Sequence, residues 1–90
     1  MQKFQLGQIV ATPAALAALT DAEANPLEYL QRHAAGDWGE INAEDRMANN
    51  RALENGERIL SAYSLPSGQR IWIITEWDRS ATTILLPEEY

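Results

Sequence analysis

Cysteine is absent from this chain, and histidine and lysine occur once each, as His33 and Lys3. Without cysteine there is no disulfide framework, no thiolate nucleophile and no zinc site of the common Cys/His kind. A single histidine removes histidine-cluster metal sites, and no Asp-rich calcium loop is present. No metal and no cofactor is therefore expected. The G-x-S-x-G elbow, the G-x-x-x-x-G-K-[ST] phosphate loop and H-E-x-x-H are missing as well. Long apolar runs are also lacking: no segment approaches ~18 uninterrupted apolar residues. Met1-Gln2-Lys3-Phe4 does not begin a basic stretch followed by an apolar one. The expectation is a cytoplasmic protein without signal peptide or membrane span.

Positive charge is scarce. Seven basic residues face thirteen acidic ones, for a formal charge of -6. The arginines (Arg32, Arg46, Arg51, Arg58, Arg70 and Arg79) are scattered and form no run. Proteins that bind nucleic acid by neutralising phosphates usually present a basic face, so direct nucleic-acid contact is not expected. The acids are more grouped. Asp37, Glu40, Glu44 and Asp45 share one stretch, and Glu76, Asp78, Glu88 and Glu89 lie near the end. Such grouping is either a solvated surface or an acidic face for another protein with a basic surface.

What is present is enough for a core. Hydrophobic residues make up 46% of ninety, which suits one compact domain spanning residues 1–90. Phe4–Val10 reads as a short edge strand or an extended lead-in with a central glycine. Thr12-Pro13 marks a helix start, with the hydroxyl as cap and proline in the first turn. Asn25-Pro26-Leu27-Glu28 marks a second and has a capping-box pattern. Gly36 supplies the left-handed residue that ends it. Asn42 caps a third helix, with Glu44 and Asp45 in its first turn. Its apolar face is weak: Met47, Ala48, Ala52 and Leu53. Asn55-Gly56 stops it. The last third changes period to two. Ile59–Leu65, Ile71–Trp77 and Thr82–Leu86 read as strands separated by Pro66-Ser67-Gly68 and Asp78-Arg79-Ser80 turns. Both faces of Ile71–Trp77 are largely apolar, so it is covered on both sides or carries an exposed aromatic patch. The predicted fold is α+β: about three N-terminal helices packed on a C-terminal three- or four-stranded antiparallel sheet, a meander.

Two functional readings arise from these residues. In the first, no residue is catalytic and the chain is a protein-binding module. Its candidate contacts are Trp38, Trp72 and Trp77 with Glu76, Asp78, Glu88 and Glu89. A homodimer through an exposed strand face is compatible with so short a chain. In the alternative, the chain is a small metal-independent ribonuclease, which needs a base, an acid and groups to hold the phosphorane. His33, Arg58, Ser61 and Tyr63 supply those groups, with Asp37, Trp38, Thr75 and Arg79 as neighbours. Each also has a structural explanation. His33 and Asp37 suit a helix-terminal turn, Trp38 a core anchor, and Arg58 and Arg70 solvated strand ends.

Helices followed by an antiparallel meander resemble the barnase-like arrangement of many toxin nucleases, a likeness of topology only. At sequence level, RHAAGDWGEI (Arg32–Ile41), ILSAYSLPSGQRIWIITE (Ile59–Glu76) and DRSATTILLPEEY (Asp78–Tyr90) resemble a family of bacterial proteins of this length. Its members are carried by plasmids, prophages and genomic islands. The resemblance implies context rather than activity: an accessory gene of mobile DNA, encoding a modulator or acidic inhibitor of a host or defence protein.

Overall fold

Proline and capping side chains set the first half of the computed structural model, which describes residues 2–90; Met1 lies outside them. Thr12 accepts from the Ala15 N–H and starts helix α1 (Pro13–Asp21) with proline in its first turn. Asn25 does the same for α2 (Pro26–Ala34), but it accepts from Leu27 N–H, the second helical residue. The capping box expected with Glu28 is thus replaced by a simpler cap. Asn42 accepts from Asp45 N–H and starts α3 (Ala43–Asn55), which ends at left-handed Gly56. The buried face of α3 is Asn49 and Ala52. Met47, expected on that face, is exposed.

The sheet corrects the sequence expectation. Strands β2 (Ile59–Ser64), β3 (Arg70–Thr75) and β4 (Ala81–Leu85) pair antiparallel in succession. A further strand, β1 (Gln8–Ala11), lies parallel against β4, giving the order β1-β4-β3-β2. The sheet is therefore mixed, not antiparallel, and one strand precedes the helices. Gly7 makes this approach possible: a Cβ there would sit 2.4 Å from the Arg79 and Ser80 carbonyl oxygens, and its φ is +66°. Gln8 then donates to Ser80 O, and Thr12 to Ile84 O.

Register assigns the faces. Ile59, Ser61 and Tyr63 share a side with Ile71, Ile73 and Thr75, and with Thr82 and Ile84. That side carries the main core, where Ala15, Ala18 and Leu19 of α1 and Tyr29 and Leu30 of α2 pack against the isoleucines. A smaller cluster joins Trp38, Ala52 and Ile59. The second face carries Leu60, Ala62, Trp72, Ile74, Thr83 and Leu85. Here the C-terminal Tyr90, following a 3-10 turn at Pro87–Glu89, places its ring 5.4 Å from that of Trp72. The Arg58 guanidinium lies 5.2 Å from the Tyr90 ring. This aromatic and cationic stack sits over the second face, whose Ala62, Ile74 and Leu85 are buried. No helix among the described residues is long and apolar enough to cross a membrane.

The outer edge of β2 is closed by two devices. Trp38–Glu40 runs alongside it: Ala62 donates to Trp38 O and Glu40 donates to Ala62 O. A Cβ at Gly39 would fall 2.0 Å from Ala62 O, so only glycine allows this approach. Next to it the buried Asn49 amide donates to Leu60 O at 2.7 Å and accepts from Leu60 N–H at 3.1 Å. A side chain thus stands in for a neighbouring strand. Asn49→Ala leaves both Leu60 groups unpaired, and a loss of about 2 kcal/mol in urea unfolding is expected, with unchanged m. A loss within about 0.5 kcal/mol, the size of an ordinary surface change, would show that the clamp is dispensable.

Candidate functional site

His33, near the end of α2, is fully buried. Its Nδ1 lies 2.5 Å from Ser61 Oγ and its Nε2 2.9 Å from Thr75 Oγ1. Thr75 Oγ1 is 2.7 Å from Thr82 Oγ1, and Thr82 Oγ1 is 2.7 Å from Leu6 O. A carbonyl only accepts, so the direction of the whole chain follows. Thr82 donates to Leu6 O, Thr75 donates to Thr82, and His33 Nε2–H donates to Thr75. With the buried ring neutral, Nδ1 is bare and accepts from the Ser61 hydroxyl. The imidazole is neutral in this arrangement, with its proton on Nε2.

The surroundings favour that state. The Phe4 ring stands edge-on at 5.2 Å and the Trp38 ring at 6.0 Å. Burial, and then repulsion from Arg79, lower the His33 pKa to about 4. Among the described residues no buried side-chain nitrogen or oxygen lacks a partner. Neither the helix-terminal carbonyl nor Asp37 holds His33, as the spacing had suggested. Asp37 pairs with Arg32 at 2.7 Å, and that bond holds its carboxyl below the usual range.

The residues of the ribonuclease reading are not gathered at one open site. Ser61 meets His33, but in the core. Tyr63 donates its hydroxyl to Asp37 O at 2.6 Å, and burial raises its pKa to about 12. Its ring packs between Tyr29, at 5.5 Å, and the Arg32 guanidinium, at 4.6 Å. Arg58 lies over the opposite face of the sheet, against Tyr90. The imidazole reaches no solvent, and the nearby Arg79 is turned to backbone carbonyls and the Phe4 ring.

The residues of the binding reading separate as well. Trp38 is 3% exposed and belongs to the core cluster, so it is not a surface anchor. Trp72 is half-buried under Tyr90. Glu89 accepts from the Thr12 hydroxyl and from Leu86 N–H, which keeps its carboxyl below the usual range and ties the C-terminus to the start of α1. Glu88 is exposed. Trp77 is 66% exposed, between exposed Glu76 and Asp78.

Arg79 explains why Trp77 stands out. Arg79 itself takes a left-handed φ of +61°. From there its guanidinium donates to Glu57 O, Glu76 O and Trp77 O through one nitrogen, and to Ala52 O through another. A single cation thus caps α3 and binds the β3–β4 turn to the loop after that helix. The Glu57 backbone is thereby tied to the turn on which Glu76 and Asp78 flank the outward indole in sequence. Asp78 is held locally by Ser80, whose hydroxyl and N–H lower its pKa. Asn49, Thr82 and the capping role of Arg79 escaped the sequence reading. The signals were Asn49-Asn50 inside a helix, where asparagine is a poor former, and threonines at core-facing strand positions.

Comparisons with family models, with curated proteins and with solved structures gave no match.

Burial of the neutral imidazole makes stability depend on pH. Below about 6.5 the unfolded chain takes a proton that the folded chain refuses until about 4. Stability therefore falls as pH drops through that window, by roughly 3 kcal/mol in full. The difference between wild type and His33→Gln in urea unfolding isolates this from the carboxylates. A difference that stays constant between about pH 7 and about pH 4.5 would contradict the assignment.

Proposed function

We propose that the chain is a non-enzymatic, cytoplasmic protein-binding module whose contact centre is Trp77. The observation that supports this most is the exposure of that indole on a turn braced by Arg79. Solvent-facing tryptophan is costly to leave uncovered, and tryptophan is enriched among the residues that dominate protein interfaces. The flanking Glu76 and Asp78 suit a partner with a basic surface, where charge steers encounter and fixes orientation. Likeness of three sequence segments to mobile-element proteins supports the narrower form, an acidic modulator or inhibitor of a host or defence protein.

A photoreactive phenylalanine analogue placed at position 77 tests this in cells. A specific adduct is expected from position 77 and none from Leu16, an exposed position on α1. With the captured partner in hand, Trp77→Ala is expected to weaken binding by about 2 kcal/mol, roughly 30-fold. Glu76→Gln with Asp78→Asn should slow association and flatten its dependence on salt. No adduct at position 77, or binding unmoved by Trp77→Ala, would overturn the proposal.

A further inference from the structure

The two edges of the sheet are treated differently. The β2 edge is closed by the Trp38–Glu40 segment and the Asn49 amide. Among the described residues nothing covers the β1 edge in this way. Since Gln8 and Thr12 donate toward β4, alternation along the strand turns the Ile9 and Ala11 N–H groups outward. Native edge strands are commonly blunted by lysine, proline or a bulge. The β1 sequence, Gln-Ile-Val-Ala, has no charge, no proline and no break in its register. Its side chains are apolar on both faces: Ile9 is 45% exposed on the helix side and Val10 43% on the other. Beside Ile9 runs a groove of about 420 Å³ between the N-terminal segment and α2, lined by Leu6, Ile9, Leu27, Leu30 and Ala34 with Gln2 and Gln31. Leu27 in its wall is 60% exposed.

We infer that β1 is the pairing edge of a symmetric homodimer, in which two copies join β1 to β1 antiparallel and form one eight-stranded sheet. Charge selects this occupant. The edge and the groove carry no charged side chain, in a chain with twenty charged residues and a net charge of -6. A partner recognised by charge finds nothing to pair with here. Two copies of an acidic chain, by contrast, meet with least repulsion where neither carries charge. The contact is also self-complementary. A two-fold axis perpendicular to the sheet brings the outward N–H of each Ile9 toward the carbonyls of the other copy, as an isologous interface requires. The same axis keeps both helical layers on one side, so the Ile9 and Leu27 side chains of the two copies meet across it, and Val10 meets Val10 on the other side. So short a strand gains from this doubling, since every apolar contact occurs twice.

Sedimentation of the full chain from about 5 to about 500 μM reads the assembly directly. A species of twice the 10.1 kDa chain mass is expected at the upper end. Ile9→Lys is expected to be monomeric throughout with an unchanged far-UV spectrum. Leu27→Glu alters only a helix surface, and is expected to shift the dimer toward monomer at least tenfold in concentration. Hydrogen exchange identifies the edge itself: the Ile9 and Ala11 amides should exchange about tenfold more slowly where the dimer prevails. Wild type that stays monomeric at every concentration overturns the inference, including one that instead accepts an unrelated extended peptide at this edge. A dimer that survives both substitutions with fast-exchanging Ile9 and Ala11 amides overturns it too. Trp77→Ala leaves the β1 edge intact, so loss of the Trp77 contact and loss of the dimer are separate results.

Discussion

One directional chain of hydrogen bonds holds the layers of this protein together. It begins at the Ser61 hydroxyl, crosses the His33 ring, passes Thr75 and Thr82 and ends on the Leu6 carbonyl. Its links join α2 to β2 and β3, β3 to its hairpin neighbour β4, and β4 to the residues that lead into β1. Each hydroxyl has one proton to give, and the terminal carbonyl decides where all of them point. The core is otherwise built of Ile, Leu, Ala and Tyr, which fill space but are tolerant of sliding. A buried polar chain that is fully satisfied fixes one register and one strand order. Polar specificity of this kind suits the short parallel β1–β4 pair, which Thr82 ties to Leu6 O.

The only imidazole is committed inward, to the core. Five of the six arginines are also engaged: Arg46 donates to Gly39 O and Arg70 pairs with Glu40. Arg32 holds Asp37 and covers Tyr63, Arg58 covers Tyr90, and Arg79 caps α3 and braces the turn beside it. Two tryptophans are packed and one is not. The outward Trp77 and the open β1 edge are two separate surfaces, one flanked by Glu76 and Asp78 and the other without charged side chains.

Much of the secondary structure was legible because caps and turns have local chemistry. Thr12-Pro13, Asn25-Pro26, Asn42 and Gly56 each act where their side chain or missing Cβ predicts. The direction of β1 was not legible, since a four-residue strand carries no information about which neighbour it joins or in which sense. That one strand turned an expected antiparallel meander into a mixed sheet. Where the candidate site residues lie was not legible for a related reason. His33, Ser61 and Tyr63 do converge from distant segments, but sequence spacing does not say whether such groups meet in a cleft or in the core. Three of them together with Thr75 form a structural web, and Arg58 lies one residue from β2 on the wrong face.

Nitrogen-15 NMR of the His33 ring tests the central claim most directly, because the two ring nitrogens report protonation separately. The directional chain predicts a bare Nδ1 and a protonated Nε2, unchanged from about pH 7 to about pH 5, with titration only near 4. A proton found on Nδ1, or titration near the ordinary value of about 6.5, would contradict the account.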